Sequence, residues 1–367
     1  MLRAKNISLC LLLTSMPAAN LLAELAIEGG LTAVHQQEVG GALNDGSASA
    51  DFLVHKPWRT GEWLLYLEGS TRTNERDVFN VYPEINADAG SAQDRDGSGR
   101  VQISELNYRW SLTNQHQMTV GQIDPSAHLD RSRIANDENA HFLGVGFVNN
   151  PAIEFPDYAI GLMYRIPRTE SRPEITAIVS SSDGLADNPG RSYRELIDIS
   201  DAGKGVFVGL GARWAIGATR IGAGGWFRSD DHPLIDDPSR NSQNYGVFAV
   251  YGWLSDQHGV SIRAGLANSE VSPVAGFLGA AYEGTMRYGA IGIGIGRIFR
   301  SNKLDGSVSD DTTQIESFFR LPLPLADSHI TASLQYLMNS GFDATDAVKD
   351  SRALIASVRF HLWFGSP

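Results

Sequence analysis

The chain has 367 residues, 42% of them apolar and 20% charged, with 38 glycines and a formal charge of −12. That length holds one large domain or two small ones, and the acidic balance leaves no basic stripe to neutralise phosphates, which excludes nucleic acid as a partner. The one cysteine, Cys10, falls in the first 23 residues, so a chain cut after them has no disulfide, thiolate metal site or cysteine nucleophile.

Residues 1–23 read as a secretory signal. Arg3 and Lys5 give a positive start, Ile7 to Leu13 an apolar run, and Ala18, Ala19 and Ala23 small residues near its end. The run is too short for a membrane helix and Pro17 interrupts it. Losing Arg3 and Lys5 takes the net charge from −12 to −14. Residues 24–367 are then one β-barrel domain.

Period-two alternation recurs from residue 25 onward. Leu106, Tyr108, Trp110 and Leu112 alternate with Glu105, Asn107, Arg109 and Ser111; near the end, Leu354, Ala356, Val358, Phe360, Leu362 and Phe364 alternate with Ser357, Arg359, His361 and Trp363. Sixteen strands are expected, at 25–37, 48–56, 61–72, 100–112, 116–124, 157–166, 173–183, 204–217, 219–231, 243–255, 258–270, 274–285, 288–300, 311–323, 328–339 and 352–364. Most run roughly 9–13 residues, the length of a tilted strand crossing a bilayer.

The connections alternate as well. Tight turns such as Lys56–Gly61 and Ala218–Thr219 take turns with longer segments such as 73–99, 125–156 and 184–203; 271–273 is short. This predicts an all-β fold, a transmembrane antiparallel up-and-down β-barrel of 16 strands with long extracellular loops and short periplasmic turns, in the bacterial outer membrane. A soluble sandwich or propeller also has short strands. It accounts neither for the alternating loop lengths nor for the aromatics near strand ends: Trp63, Trp110, Trp214, Trp253, Trp363 and Phe364.

Asp94 to Glu105 reads DRDGSGRVQISE and fits the calcium loop of an EF-hand, with Asp94, Asp96 and Ser98 at positions 1, 3 and 5 and Gly99 at 6. No helix pattern flanks it. From Val101 the chain reads as a strand, which carries Glu105 about 13 Å away from where it would have to close the site. A solvated loop tip is the leading expectation, and a looser calcium site on Asp94, Asp96 and Ser98 is the alternative; no other cofactor is expected. Gly292, Gly294 and Gly296 share one strand face without a following helix, so they read as room in the lumen or wall curvature.

Asn149-Asn-Pro-Ala-Ile-Glu-Phe-Pro-Asp-Tyr-Ala-Ile-Gly-Leu enters a strand after the longest loop, and Met118-Thr-Val-Gly-Gln-Ile-Asp precedes that loop. With Glu316-Ser-Phe-Phe-Arg, Leu334-Gln-Tyr-Leu-Met-Asn-Ser-Gly and the closing aromatic strand, these motifs resemble the carbohydrate-selective porins of the OprB family. The resemblance implies a sixteen-stranded outer-membrane barrel that lets sugars such as glucose diffuse inward past arginines, acids and aromatics. It departs at Gln122, where an arginine is frequent, at Ser340, and at Gly365-Ser-Pro beyond Phe364. Sixteen-stranded porins are habitually trimers, so a homotrimer among outer-membrane lipid and lipopolysaccharide is the matching assembly.

Strand faces supply lumen candidates independently. Glu68, Glu105, Arg109, Arg165, Arg213, Trp226, Arg228 and Arg263 are expected to line the pore, among further lumen residues such as Asp51, Tyr66, Glu316, Arg320 and Arg359. Interleaved guanidinium and carboxylate groups offer donors and acceptors to hydroxyls, and Trp226 offers a face for a sugar ring. The 125–156 loop is the candidate constriction, through Asp130, Arg131, Arg133, Asp137 and Glu138. Wall bracing is the plainer role for any one of these charges. Function is expected to be passive, substrate-selective diffusion of carbohydrates. A channel for anions or carboxylates is the alternative, since lumen arginines outnumber lumen acids; a plugged structural barrel is a lesser one, which the glycine-rich wall of 288–300 argues against. Ser229-Asp230-Asp231-His232 is too slight a signature for a metal or acid–base site, and no enzyme is expected.

Overall fold

A computed structural model describes residues 25–72, 77–89, 92–94, 96–187, 192–197, 204–304, 310–325, 327–341 and 352–365. Residues 1–23, where a secretory signal is expected, and the last two residues lie outside these. The strands are β1 (Ala26–Glu38), β2 (Asn44–Trp58), β3 (Gly61–Ser70), β4 (Val101–Ser111), β5 (Gln117–Ile123), β6 (Ala159–Ile166), β7 (Glu174–Ser181) and β8 (Val206–Ile216). They continue as β9 (Thr219–Pro233), β10 (Asn241–Leu254), β11 (His258–Ala267), β12 (Val274–Met286), β13 (Gly289–Arg300), β14 (Thr312–Pro322), β15 (Asp327–Met338) and β16 (Arg352–Phe364). Each pairs antiparallel with its neighbours in sequence, and β1 pairs with β16 from Gly29↔Phe364 to Glu38↔Ile355. The closed ring leaves no unpaired strand edge.

The alternation sorts inside from outside. On β13, Ile291, Ile293 and Ile295 are exposed while Ala290, Gly292, Gly294, Gly296 and Ile298 are buried. Leu31, Leu106, Leu162, Leu210, Val247, Leu266, Leu278, Leu334 and Val358 extend that outward apolar belt around the wall. Water would penalise so large a contiguous apolar surface, whereas hydrocarbon does not. The protein is an integral outer-membrane β-barrel. Among the described residues, no helix is long and apolar enough to cross a membrane.

Short turns close one end of the barrel and mostly longer loops the other. At the β8–β9 turn Gly217 takes φ +56°, a left-handed conformation that suits glycine. Trp63 and Trp214 face outward near this turn end, both more than 40% exposed. Trp363 does not join them: it lies on the inward row, stacked on His361 with ring centroids 6.3 Å apart. On β4 the register shifts opposite Tyr66 and Leu67, so the chain bulges at Ser104 and Glu105. The bulge turns both side chains inward, where strict alternation allows one. Gln122 pairs with outward-facing Leu106 and Ile160, and its amide donates to the Ile103 carbonyl freed by the bulge (3.0 Å). The arginine-to-glutamine departure noted in the sequence therefore removes no lumen charge.

Candidate functional site

Two loops fold into the barrel. The longer, between β5 and β6 (residues 124–158, here L3), is fastened by a chain of polar contacts to the inner wall from β9 to β1. Arg263 on β11 pairs with Asp130 at 2.9 Å and donates to the carbonyl of Gly146 at 3.1 Å. Glu316 on β14 accepts the backbone N–H groups of Leu143 (3.0 Å) and Gly144 (2.9 Å). Arg359 on β16 donates to the carbonyls of Glu138 and His141, and Arg320 on β14 to that of Ala140. Asn150, in the returning limb of the loop, donates to the Ala264 carbonyl at 3.1 Å. Phe142 and Phe147 lie over Gly294, where an added Cβ would come within 2.7 Å of Phe147. The glycines of β13 make room, and L3 occupies it.

The second loop joins β3 to β4. Gln314 on β14 and Gln335 on β15 hold its Glu84 and Ile85 carbonyls at 2.8 Å each, and its Ala87 N–H donates to the Leu143 carbonyl of L3 at 2.8 Å. The two loops are thus joined to each other as well as to the wall. What remains of the lumen lies between L3 and the β2–β8 side.

The charges facing this space are segregated. Arg109, Arg165 and Arg213 sit near the turn ends of β4, β6 and β8, and Arg131 of L3 joins them. Arg213 pairs with Glu174 at 2.7 Å, and Arg131 approaches the same carboxylate at 3.9 Å. His128 is held neutral: burial first, then the arginines at 165, 131 and 109, pull its pKa down to about 3. It is positioned 3.1 Å from the Arg165 guanidinium. Asp51, Asp124, Asp137 and Glu138 gather nearer the loop end, with Glu68 and Asp88 buried beside them; Tyr66 donates to Asp51 at 2.6 Å and Ser104 to Glu68 at 2.7 Å. Glu105 accepts from Asn107 at 3.0 Å and lies near Asp124.

Three residues expected to line the pore do not reach it. Trp226 is 4% exposed inside an apolar cluster with Ile123, Leu129, Phe207 and Phe248, so it offers no face to a sugar. Arg228 is taken up by Asp230 (2.7 Å) and Glu154 (2.9 Å), and Arg263 by Asp130; L3 covers both. Glu68 is also largely buried, which leaves Arg109, Arg165, Arg213 and Glu105 of the eight part-exposed to the lumen. Of the loop candidates, Asp130 is buried as an anchor, with burial pushing its pKa up to about 6 against the pull of Arg263. Asp137 caps its own turn, accepting from Asn139 and Ala140, while Arg131 and Arg133 are exposed. Sequence reasoning did not find Glu316 and Arg359 as loop anchors, because nothing local marks the carbonyls and N–H groups they bind.

Asp94, Asp96 and Ser98 form a tight turn: Asp96 accepts the Ser98 N–H at 2.9 Å and Asp94 takes Arg100 at 3.2 Å. Glu105 belongs to the lumen wall of β4, apart from this turn. Asp230 and His232 join Glu154 and Arg228 in one ion-pair network. Among the described residues, no group of three or more His, Cys, Asp or Glu side chains is disposed to hold a metal ion.

No protein-family model and no curated protein sequence matches the chain. Solved structures do. OprB of Pseudomonas putida, in a high-pH structure, covers 94% of this chain with 96% of its own at 11% identity and a TM-score of 0.70. OmpT, an outer membrane protein of Vibrio cholerae, covers 93% with 97% of its own at 11% identity and a TM-score of 0.58. A mutant porin of Rh. blastica covers 93% with all of its own chain at 13% identity and a TM-score of 0.55. Likeness at this identity establishes a shared porin-type fold.

Proposed function

We propose that this barrel is a passive diffusion channel for small hydroxylated solutes, carbohydrates first among them. One observation carries the reading: L3 narrows the lumen and leaves guanidinium groups and carboxylates facing the same remaining space. Fixed donors and acceptors of both signs replace the hydration of sugar hydroxyls, and a solute held by such bonds binds weakly and leaves. With Trp226 enclosed, selection rests on these polar groups and not on ring stacking. The OprB-type fold and the sequence resemblance support the same substrate class. The outward belt meets lipid, and homotrimer assembly accompanies the reading.

Liposome swelling in isosmolar glucose, maltose, arabinose, an amino acid and gluconate tests it. Neutral sugars are expected to enter faster than gluconate or the amino acid, and Arg213→Ala is expected to narrow that difference. Faster entry of gluconate would replace the sugar reading with an anion channel. No swelling for any solute would mean that the two inward loops seal the barrel.

A further inference from the structure

Below L3, at the turn end, lies a recess of about 280 Å³. Its position is set by Arg168 in the β6–β7 turn and Ala218 in the β8–β9 turn, both in its lining. Five arginines, Arg131, Arg133, Arg168, Arg213 and Arg220, face it with one carboxylate, Glu174. Glu174 is already engaged by Arg213 at 2.7 Å and approached by Arg131 at 3.9 Å. Arg220 donates to the carbonyls of Gly217 (2.7 Å) and Thr219 (3.0 Å), and Arg168 to that of Ala215 (3.2 Å). Those acceptors are neutral, so the charges stay uncompensated. Among the described residues Arg133 has no hydrogen-bond or ion-pair partner. Crowding is felt at Arg131, whose pKa is lowered to about 10 by burial and then by Arg213 and Arg165.

Guanidinium groups gathered in excess of their counter-charge repel one another, and each presents a planar fork that matches two oxygens of a carboxylate or phosphate. Ile134, Val250 and Leu254 give the recess an apolar side. We propose that this recess is a binding site for a small solute with an oxyanion head, a carboxylate or a phosphate ester, whose body rests on that apolar side. The channel reading matters here only for how the solute arrives, because the recess is built from L3 and the β6–β7 and β8–β9 turns themselves.

Isothermal titration of the purified full-length protein in detergent, with gluconate, glucose 6-phosphate and glucose as separate titrants, tests the site. One or both anions are expected to bind and glucose to show no heat at the same concentrations; which anion binds identifies the head group. Arg133→Ala and Arg220→Ala are expected to weaken binding at least about tenfold, the loss of one charge-assisted hydrogen bond. Arg133→Glu is expected to abolish it, and Arg297→Ala, remote at the loop end, to leave it unchanged. Arg133 makes no contact that folding needs, so its variants report on the site and not on assembly. Binding of neither anion, or equal binding by wild type, Arg133→Ala and Arg220→Ala, overturns the proposal. Swelling in glucose without anion binding would remove this site and leave the channel standing; anion binding without swelling would do the reverse.

Discussion

Arg263 shows how one lumen arginine can serve structure. Its side chain and that of Asp130 are 4% and 2% exposed at a separation of 2.9 Å, and the same guanidinium also holds Gly146 and Val148 of L3. Removing one partner of a buried pair strands the other charge, at a cost of about 3–5 kcal/mol. Arg263→Ala is therefore expected to lower thermal stability and raise single-channel conductance as L3 loosens; unchanged conductance would mean the other anchors suffice. Trp226→Ala makes the contrast. Truncating a buried tryptophan costs about 3–5 kcal/mol, but the ratio of glucose to gluconate entry is expected to stay as in wild type. The sequence placed both residues on the correct face. It could not distinguish a lumen residue that meets solute from one that meets a returning loop, since both face inward at period two.

At the scale of elements, β13 is the clearest case. Its alternating isoleucines and glycines announce an outward apolar row and an empty inward row, and both are present. What fills the empty row arrives from about 150 residues earlier, as Phe142 and Phe147 of L3. A side chain at Gly294 would collide with Phe147, and overpacking of that kind costs about 1–3 kcal/mol. Gly294→Val is expected to lift L3 from the wall and raise conductance, and Phe147→Ala in the same background to bring conductance back toward wild type. If the single variant conducts like wild type, the aromatics do not hold the loop. The β4 bulge lay beyond sequence reading for another reason: an inserted residue shows only once the partner strand's register is known.

For the whole molecule, the division of charge between a carboxylate-rich loop side and an arginine-rich turn side makes conduction pH-dependent. Asp88 is pushed up to about 7 and Glu138 to about 8. Burial is the main cause of both, with Asp51 and Glu68 adding to Asp88, and Asp88 and Asp137 to Glu138. Both pKa values rise on folding, so the inward loops hold protons that free loops would release. The penalty is absent below the ordinary values of 3.8 and 4.5, grows as pH rises from there, and is complete above about 8, so loop docking weakens progressively between about pH 4 and pH 8. Each proton lost also adds a negative charge to the lumen. The zero-current potential in a salt gradient is expected to shift toward cation selectivity between pH 6 and pH 9, and Asp88→Asn with Glu138→Gln to flatten that shift. A wild-type potential constant across this range would refute it.

The sequence by itself determined the barrel. Strand number, the pairing of neighbours, short turns at one end and an apolar outer face all follow from local rules of period two and turn chemistry, which act between residues near one another in the chain. Only the tertiary structure decided the pathway. L3 and its neighbouring loop enter the lumen through bonds from Arg263, Glu316, Arg320, Arg359 and Gln314 to backbone groups more than a hundred residues away. Backbone N–H and C=O groups carry no sequence signature. The same docking encloses Trp226 and Arg228 and leaves Arg109, Arg131, Arg165 and Arg213 facing the remaining water.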